Sequence, residues 1–278
     1  MTSRDTCHNK MEVKIQSIVG CIYLLLGHHA GAVLVATPSP SNPRTSAPAN
    51  GAPWDNVVQT IGASGVYLGG GWMLTAEHVF DDQIQPFVTY NSKQYLADLN
   101  KSYVLGNPLA AQILGLTPKA DLVLFRLQEA LPGLASISLG TPTANMEITM
   151  IGFGSGKSWG TNNIEGPYLQ NAYDYPAVTD NDFIGFYTDY DSATQTEGQG
   201  TSGDSGGVAF AFIGGQWKIV GIMNAINTTV SPNQTLFSNI STYSSEISNI
   251  IATQGTIPET STALLLLSSA LIAFRRRR

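Results

Sequence analysis

Cysteine is nearly absent from this 278-residue sequence: only Cys7 and Cys21 occur, both ahead of Val33. The rest of the chain can form neither a disulfide nor a cysteine–metal site, so its stability must come from a packed core. Histidine is as scarce. His8, His28 and His29 fall in the same leading segment, which leaves His78 as the only later imidazole and excludes a histidine-cluster metal centre. We expect no metal and no other cofactor. Charged residues make up 12% of the chain, and residues 33–274 carry seven basic against 18 acidic side chains, a balance of −11. Such a body is repelled by phosphate backbones, which excludes nucleic acid as a partner. Glycine, with 28 copies, and apolar residues, at 43%, are plentiful. That composition suits short strands joined by tight turns, an all-β fold with a sizeable core.

Four segments can be separated. Residues 1–32 have a basic start, an apolar run from Ile15 to Gly27 and then Ala30-Gly31-Ala32, the small-x-small pattern that signal peptidase accepts. They read as a secretory signal peptide. Residues 33–53 are dominated by Pro, Ser and Ala and predict a linker or extended arm without a buried face. Residues 54–252 alternate short apolar runs with Gly, Asn and Asp, and the runs 65–68, 121–125, 148–151 and 217–222 predict strands. Residues 240–251 have apolar positions at helical spacing.

Residues 253–278 form a tail: Ile257-Pro258-Glu259-Thr260, an apolar stretch from Ala263 to Phe274, and Arg275 to Arg278. This order resembles the PEP-CTERM sorting signal of Gram-negative bacteria, although Thr260 stands where a second proline is usual. The resemblance implies transient membrane association through the tail and processing by an exosortase. It also implies a location in the periplasm, at the cell surface or outside a Gram-negative cell.

Three segments carry chemistry. Gly71-Trp72-Met73-Leu74-Thr75-Ala76-Glu77-His78 ends an apolar strand on a histidine. Asp121 directly precedes the apolar run Leu122-Val123-Leu124-Phe125, where a half-buried carboxylate needs a hydrogen-bonding partner such as an imidazole N–H. Gly203-Asp204-Ser205-Gly206-Gly207 lets the backbone turn sharply around a serine, so that the N–H groups of Gly203 and Ser205 could stabilise an oxyanion. A hydroxyl, a base, a group that fixes the base's tautomer and backbone donors are what acyl transfer by serine requires.

The order His78, Asp121, Ser205, together with the spacing between these members, resembles the trypsin/chymotrypsin family of serine proteases. The resemblance spans about residues 54 to 252. It includes Ile148 to Gly154, Val220-Gly221-Ile222-Met223, and the last strand and helix from Phe237 to Ile251. It implies two six-stranded antiparallel β-barrels with a short C-terminal helix, with His78, Asp121 and Ser205 as catalytic residues in the cleft between the barrels. Protein or peptide substrates are the implied partners, with signal peptidase acting during export. The resemblance also puts Gln199 at the base of the primary substrate pocket and Asn224, Ala225 and Ile226 on its wall, with Asn224 replacing the usual serine. Gln199 provides no counter-ion for a basic side chain, and Ile226 narrows the entrance, so small or modest aliphatic residues are expected before the scissile bond.

The resemblance implies that an Ile- or Val-led N-terminus freed by cleavage would pair its amine with Asp204, but no Ile-Val-Gly-Gly-like start lies between Ala32 and Trp54. Either another amine or side chain satisfies Asp204 or, as we expect, the enzyme is folded active without a zymogen switch. The competing reading is a catalytically silent binding module on the same scaffold. Gly152 to Ser158 imitates a phosphate loop, but Ile151 stands at the first glycine position. Three Asn-x-Ser/Thr triplets, including Asn239-Ile240-Ser241, match glycosylation sequons that a bacterial exported protein would leave unused. The acidic, tyrosine-rich stretch from Tyr168 to Asp191 leaves calcium binding open.

Overall fold

The computed structural model describes residues 32–36, 44–80, 83–110, 116–165, 171–173 and 182–258. The expected signal peptide up to residue 31, the expected sorting tail from residue 259 and residues 168–170 and 174–181 of the tyrosine-rich stretch lie outside these. The chain begins with a two-residue strand, β1 (Leu34–Val35). From residue 44 an arm runs along the second half of the molecule. The Arg44 guanidinium stacks 4.4 Å above the Trp159 ring, Trp159 Nε1 donates to Ser46 O, and Asn50 Nδ2 donates to Thr149 Oγ1. The expected linker is therefore partly core. Val33 and Val35 are buried, because the apolar run Ala32-Val33-Leu34-Val35 ahead of the Pro-rich stretch is long enough to fill one strand position.

Strands β2 (Val57–Thr60), β3 (Ala63–Gly69), β4 (Trp72–Thr75), β5 (Phe87–Tyr90), β6 (Lys93–Gly106) and β7 (Lys119–Leu127) close a barrel in the order β2-β3-β4-β7-β6-β5. Two of its hairpins turn on two residues that both have positive φ, Ile61–Gly62 and Asn91–Ser92, the left-handed pair that matches the twist of adjoining strands. Helix α1 (Glu77–Phe80) follows β4 at the barrel's rim. Strand β7 is apolar on both faces for a reason that its continuous sequence run conceals. Val123, Phe125 and Leu127 point into this barrel, whereas Leu122 and Leu124 join a core shared with the second half.

The second half contains β8 (Ser138–Leu139), β9 (Glu147–Gly152), β10 (Ser158–Asn163), β11 (Asn171–Tyr173), β12 (Phe183–Tyr190), β13 (Gly198–Gln199), β14 (Val208–Ile213), β15 (Gln216–Asn227) and β16 (Asn233–Asn239). The sheet order is β10-β9-β14-β15-β16-β12-β11, with β8 alongside β15 and β1 paired to β13. Two barrels were expected; among the described residues this one is a curled half-barrel sheet and not a closed ladder. Its interior holds Ile148, Met150, Phe186, Ala211, Val220 and Phe237, with Val33 from the N-terminal segment. The glycine-rich segment Gly152–Lys157 is the connection between two antiparallel strands, with no helix after it, so it lacks the context of a phosphate loop.

Helix α2 (Ile240–Gln254) is capped by Asn239, whose side chain accepts from Ser241 N at 3.0 Å. The third sequon is thus a buried N-cap. Beyond α2 the chain returns to the first barrel. Trp72 Nε1 donates to Gly255 O, Arg126 Nη1 donates to Gln254 O, and Ile257 N donates to Gly70 O at 2.8 Å. Gly70 and Gly71 have positive φ, and a Cβ on either would meet Thr256 or Ile257. The turn between β3 and β4 is therefore restricted to glycine by both conformation and contact.

Candidate active site

His78 lies in α1, Asp121 starts the apolar part of β7, and Ser205 sits in the loop before β14. Barrel closure brings the first two together, because β4 pairs with β7 and delivers α1 beside Asp121. His78 Nδ1 lies 3.0 and 2.9 Å from Asp121 Oδ1 and Oδ2, and the His78 backbone N–H donates to Oδ1 at 3.0 Å. His78 Nε2 is 2.7 Å from Ser205 Oγ. An acceptor carboxylate on Nδ1 fixes the proton there and leaves Nε2 to accept from the hydroxyl.

The Ser205 loop is held in place from the first barrel. Ser64 N donates to Ser205 O at 2.9 Å, Ser64 Oγ accepts from Phe153 N at 2.8 Å, and Thr75 Oγ1 donates to Ser64 O at 2.7 Å. Gly206, at φ 78, lies against this junction, where a Cβ would run into Ser64 O and Thr75 Oγ1. Among the described residues, the N–H groups of Gly203 and Ser205 have no intramolecular acceptor, while those of Asp204, Gly206 and Gly207 do. Two free donors therefore flank the serine hydroxyl. Sequence reasoning missed Ser64, because nothing local marks a strand residue whose partner loop lies in the other half of the chain.

A cavity of about 350 Å³ opens beside Ser205, lined by residues 201–205, His78 and residues 223–226. Ala225 and Ile226 are among its lining residues, and Ile226 Cγ2 packs 3.4 Å from where a Cβ on the neighbouring Gly200 would stand. Asn224 is at the rim, but its amide turns away from the cavity: Nδ2 donates to Asp121 O at 2.6 Å and to Asp121 Oδ2 at 2.9 Å. Gln199 is not among the lining residues. It is buried in β13, paired with Leu34, and its Oε1 accepts from Asn233 Nδ2 at 3.4 Å.

Asp204 is buried beside the N-terminal segment. Its Oδ1 accepts from Gly154 N and its Oδ2 from Thr201 N, while the single Thr201 Oγ1 proton is shared between Asp204 Oδ2, at 3.2 Å, and the nearer Ala32 O. Among the described residues no basic group pairs with it. Burial, only partly offset by these donors, pushes its carboxyl up to about 7. Uncharged donors thus occupy the position where the family resemblance suggested an amine.

A second cavity, about 220 Å³, is lined by Glu147, Glu165, Asp189, Asp191 and Glu197 among others. Burial and the neighbouring Asp189 and Asp191 raise the Glu165 carboxyl above its ordinary value. Glu197 spends both oxygens on the N–H groups of Asp191 and Thr194. Among the described residues no group of three or more His, Cys, Asp or Glu side chains is disposed to hold a metal.

A barrel and a curled sheet with serine, histidine and aspartate meeting at their junction define the double-barrel serine-protease fold class. The trypsin family model matches residues 42–251, and the chain belongs to the trypsin family. Among solved structures, it is similar to the Rv3671c protease in its inactive form, at 13% identity and a TM-score of 0.52 over 78% of this chain and 98% of that chain. A serine-to-alanine mutant of Rv3671c from M. tuberculosis H37Rv, also an inactive form, matches at 15% identity and a TM-score of 0.50 over 81% and 99% of the two chains. At these identities the likeness is one of fold alone. No curated protein sequence matches the chain.

Proposed function

We propose that the chain is an exported serine endopeptidase that hydrolyses peptide bonds through an acyl-enzyme. Ser205 is the nucleophile, His78 the general base and acid, and Asp121 the residue that orients the imidazole. The observation that carries the reading is the unbroken line Asp121–His78 Nδ1 and His78 Nε2–Ser205 Oγ, the latter at 2.7 Å. Oγ attacks the scissile carbonyl carbon as its proton passes to Nε2. The oxyanion is met by the N–H groups of Gly203 and Ser205, and the proton is then given to the leaving amine. Water repeats the sequence on the ester and releases Ser205.

Preference before the scissile bond is for small or modest aliphatic residues, because the apolar side chains of Ala225 and the branched Ile226 form part of the cavity's wall. Export rests on the signal-like segment that ends at Ala32, and surface retention on the sorting-like tail. The test is labelling of the full chain with a fluorophosphonate, followed by peptide mapping. The label should sit on Ser205, and Ser205→Ala and His78→Ala should each lower peptide hydrolysis at least ~10⁴-fold. Undiminished hydrolysis by the Ser205→Ala protein would overturn the reading.

A further inference from the structure

Asn224 occupies the extra position of a β-bulge. Strand β15 pairs Met223 with Phe237 and Ala225 with Leu236, so Asn224 faces no residue of its own on β16. A bulge re-aims a side chain that a regular ladder would keep on the sheet face, and here it sends the amide to Asp121. The other end of that amide is also engaged. Asn224 Oδ1 accepts from the Ser238 backbone N–H at 2.9 Å and from Ser238 Oγ at 2.7 Å. Asp121, Asn224 and Ser238 are all buried, Ser238 completely.

Rotating the amide by half a turn would set its oxygen against Asp121 O and Oδ2 and its NH₂ against the Ser238 N–H. Three attractions would become repulsions in a place where water cannot compensate, and only the Ser238 hydroxyl could turn to accept instead. The hydroxyl matters beyond the N–H because it adds the second donor to Oδ1 and approaches it more closely.

We propose that Ser238 is a positioning residue of the site: it locks the Asn224 amide in the one orientation that donates to Asp121. The Asp121 carboxylate is thereby held from the side opposite His78. Its plane is set by the Asn224 N–H on Oδ2 and the His78 backbone N–H on Oδ1, which leaves both oxygens aimed at Nδ1. Loss of the lock would let the carboxylate turn and the imidazole drift from Ser205 Oγ without disturbing substrate contacts. This rests on the reading of His78 as general base.

The test uses the full chain with Ser238→Ala, Ser238→Thr and Asn224→Ala. Each variant is followed by hydrolysis of an alanyl peptide p-nitroanilide and by proton NMR of the ¹⁵N-histidine-labelled protein, with His78→Gln assigning the downfield Nδ1–H signal. Ser238→Ala should lower kcat roughly 3- to 10-fold, and Asn224→Ala roughly 10- to 100-fold, with KM within about two-fold of the parent. The His78 Nδ1–H signal should shift or broaden in both, and Ser238→Thr should restore it together with kcat. An unchanged kcat and an unchanged Nδ1–H signal in folded Ser238→Ala would overturn the proposal, as would a drop in thermal midpoint with neither readout moved. A parent chain that takes no fluorophosphonate would instead overturn the endopeptidase reading, while the NMR signal still reports on Ser238.

Discussion

The backbone N–H of Ser64 donates to the carbonyl oxygen of Ser205 at 2.9 Å, joining the first barrel directly to the loop that carries this serine. The same residue receives Phe153 N on its hydroxyl oxygen and Thr75 Oγ1 on its carbonyl, so one residue, through two backbone groups and its hydroxyl, aligns three segments. Ser64→Ala leaves the Phe153 N–H without its acceptor. We expect a loss of about 1 kcal/mol in stability and a several-fold fall in kcat, read from denaturant midpoints and peptide hydrolysis. An unchanged midpoint and rate would show that the Phe153 contact is dispensable for the alignment.

Asp204 gives the molecule a pH dependence whose sign can be worked out. Its carboxyl is raised from 3.8 to about 7 on folding, so between these values the folded state keeps a proton that the unfolded chain has lost. Stability from this group is complete below pH ~4 and declines by roughly 1.4 kcal/mol per unit until about pH 7. Asp204→Asn removes the titration. Urea melts should therefore favour the variant over the parent by on the order of 2 kcal/mol more at pH 8 than at pH 5. A difference that does not change with pH, or one that reverses because a cation has come to sit against Asp204, would contradict this.

Gly70 ties the end of the described chain to the first barrel. Gly70→Ala places a Cβ against Thr256 at φ 58 and should cost about 1–3 kcal/mol. The loss should appear in thermal melts, together with faster protease nicking after Gln254. Equal nicking rates in the two proteins would show that the clasp does not depend on this turn.

Ile226 is expected to limit the residue accepted before the scissile bond. Ile226→Gly should broaden a peptide-library profile toward large side chains, and Gln199→Ala should leave the profile alone because Gln199 is not part of the cavity lining. A parent profile dominated by Arg, Lys or large aromatics would show that the wall has been misplaced.

The three candidate residues were legible in the sequence because each is embedded in a contiguous run whose local conformation presents it. Strand into helix presents His78, a strand start presents Asp121, and a glycine-flanked turn presents Ser205. The strands around them were legible for a similar reason, since period-two burial and turn glycines are local properties. What supports these residues was not. Ser64 and Ser238 are ordinary strand positions, and their roles arise only when two strands or two barrels are placed side by side. The orientation of Asn224 depends on a bulge that its own sequence does not announce. The segment at Val33–Val35 was hidden by the Pro-rich stretch after it, because composition averaged over the whole stretch conceals a very short strand at its start.

The return of the chain from α2 to the first barrel also has a mechanical meaning. A pull applied beyond Pro258 is met first by the Ile257 N–Gly70 O bond, and then by Trp72 and Arg126 gripping Gly255 and Gln254. These bonds lie on the rim of a closed barrel, the part of the molecule least able to unzip one strand at a time. Tension on the tail is therefore discharged into the first barrel before it can unwind α2 or disturb β16, the strand on which Ser238 sits.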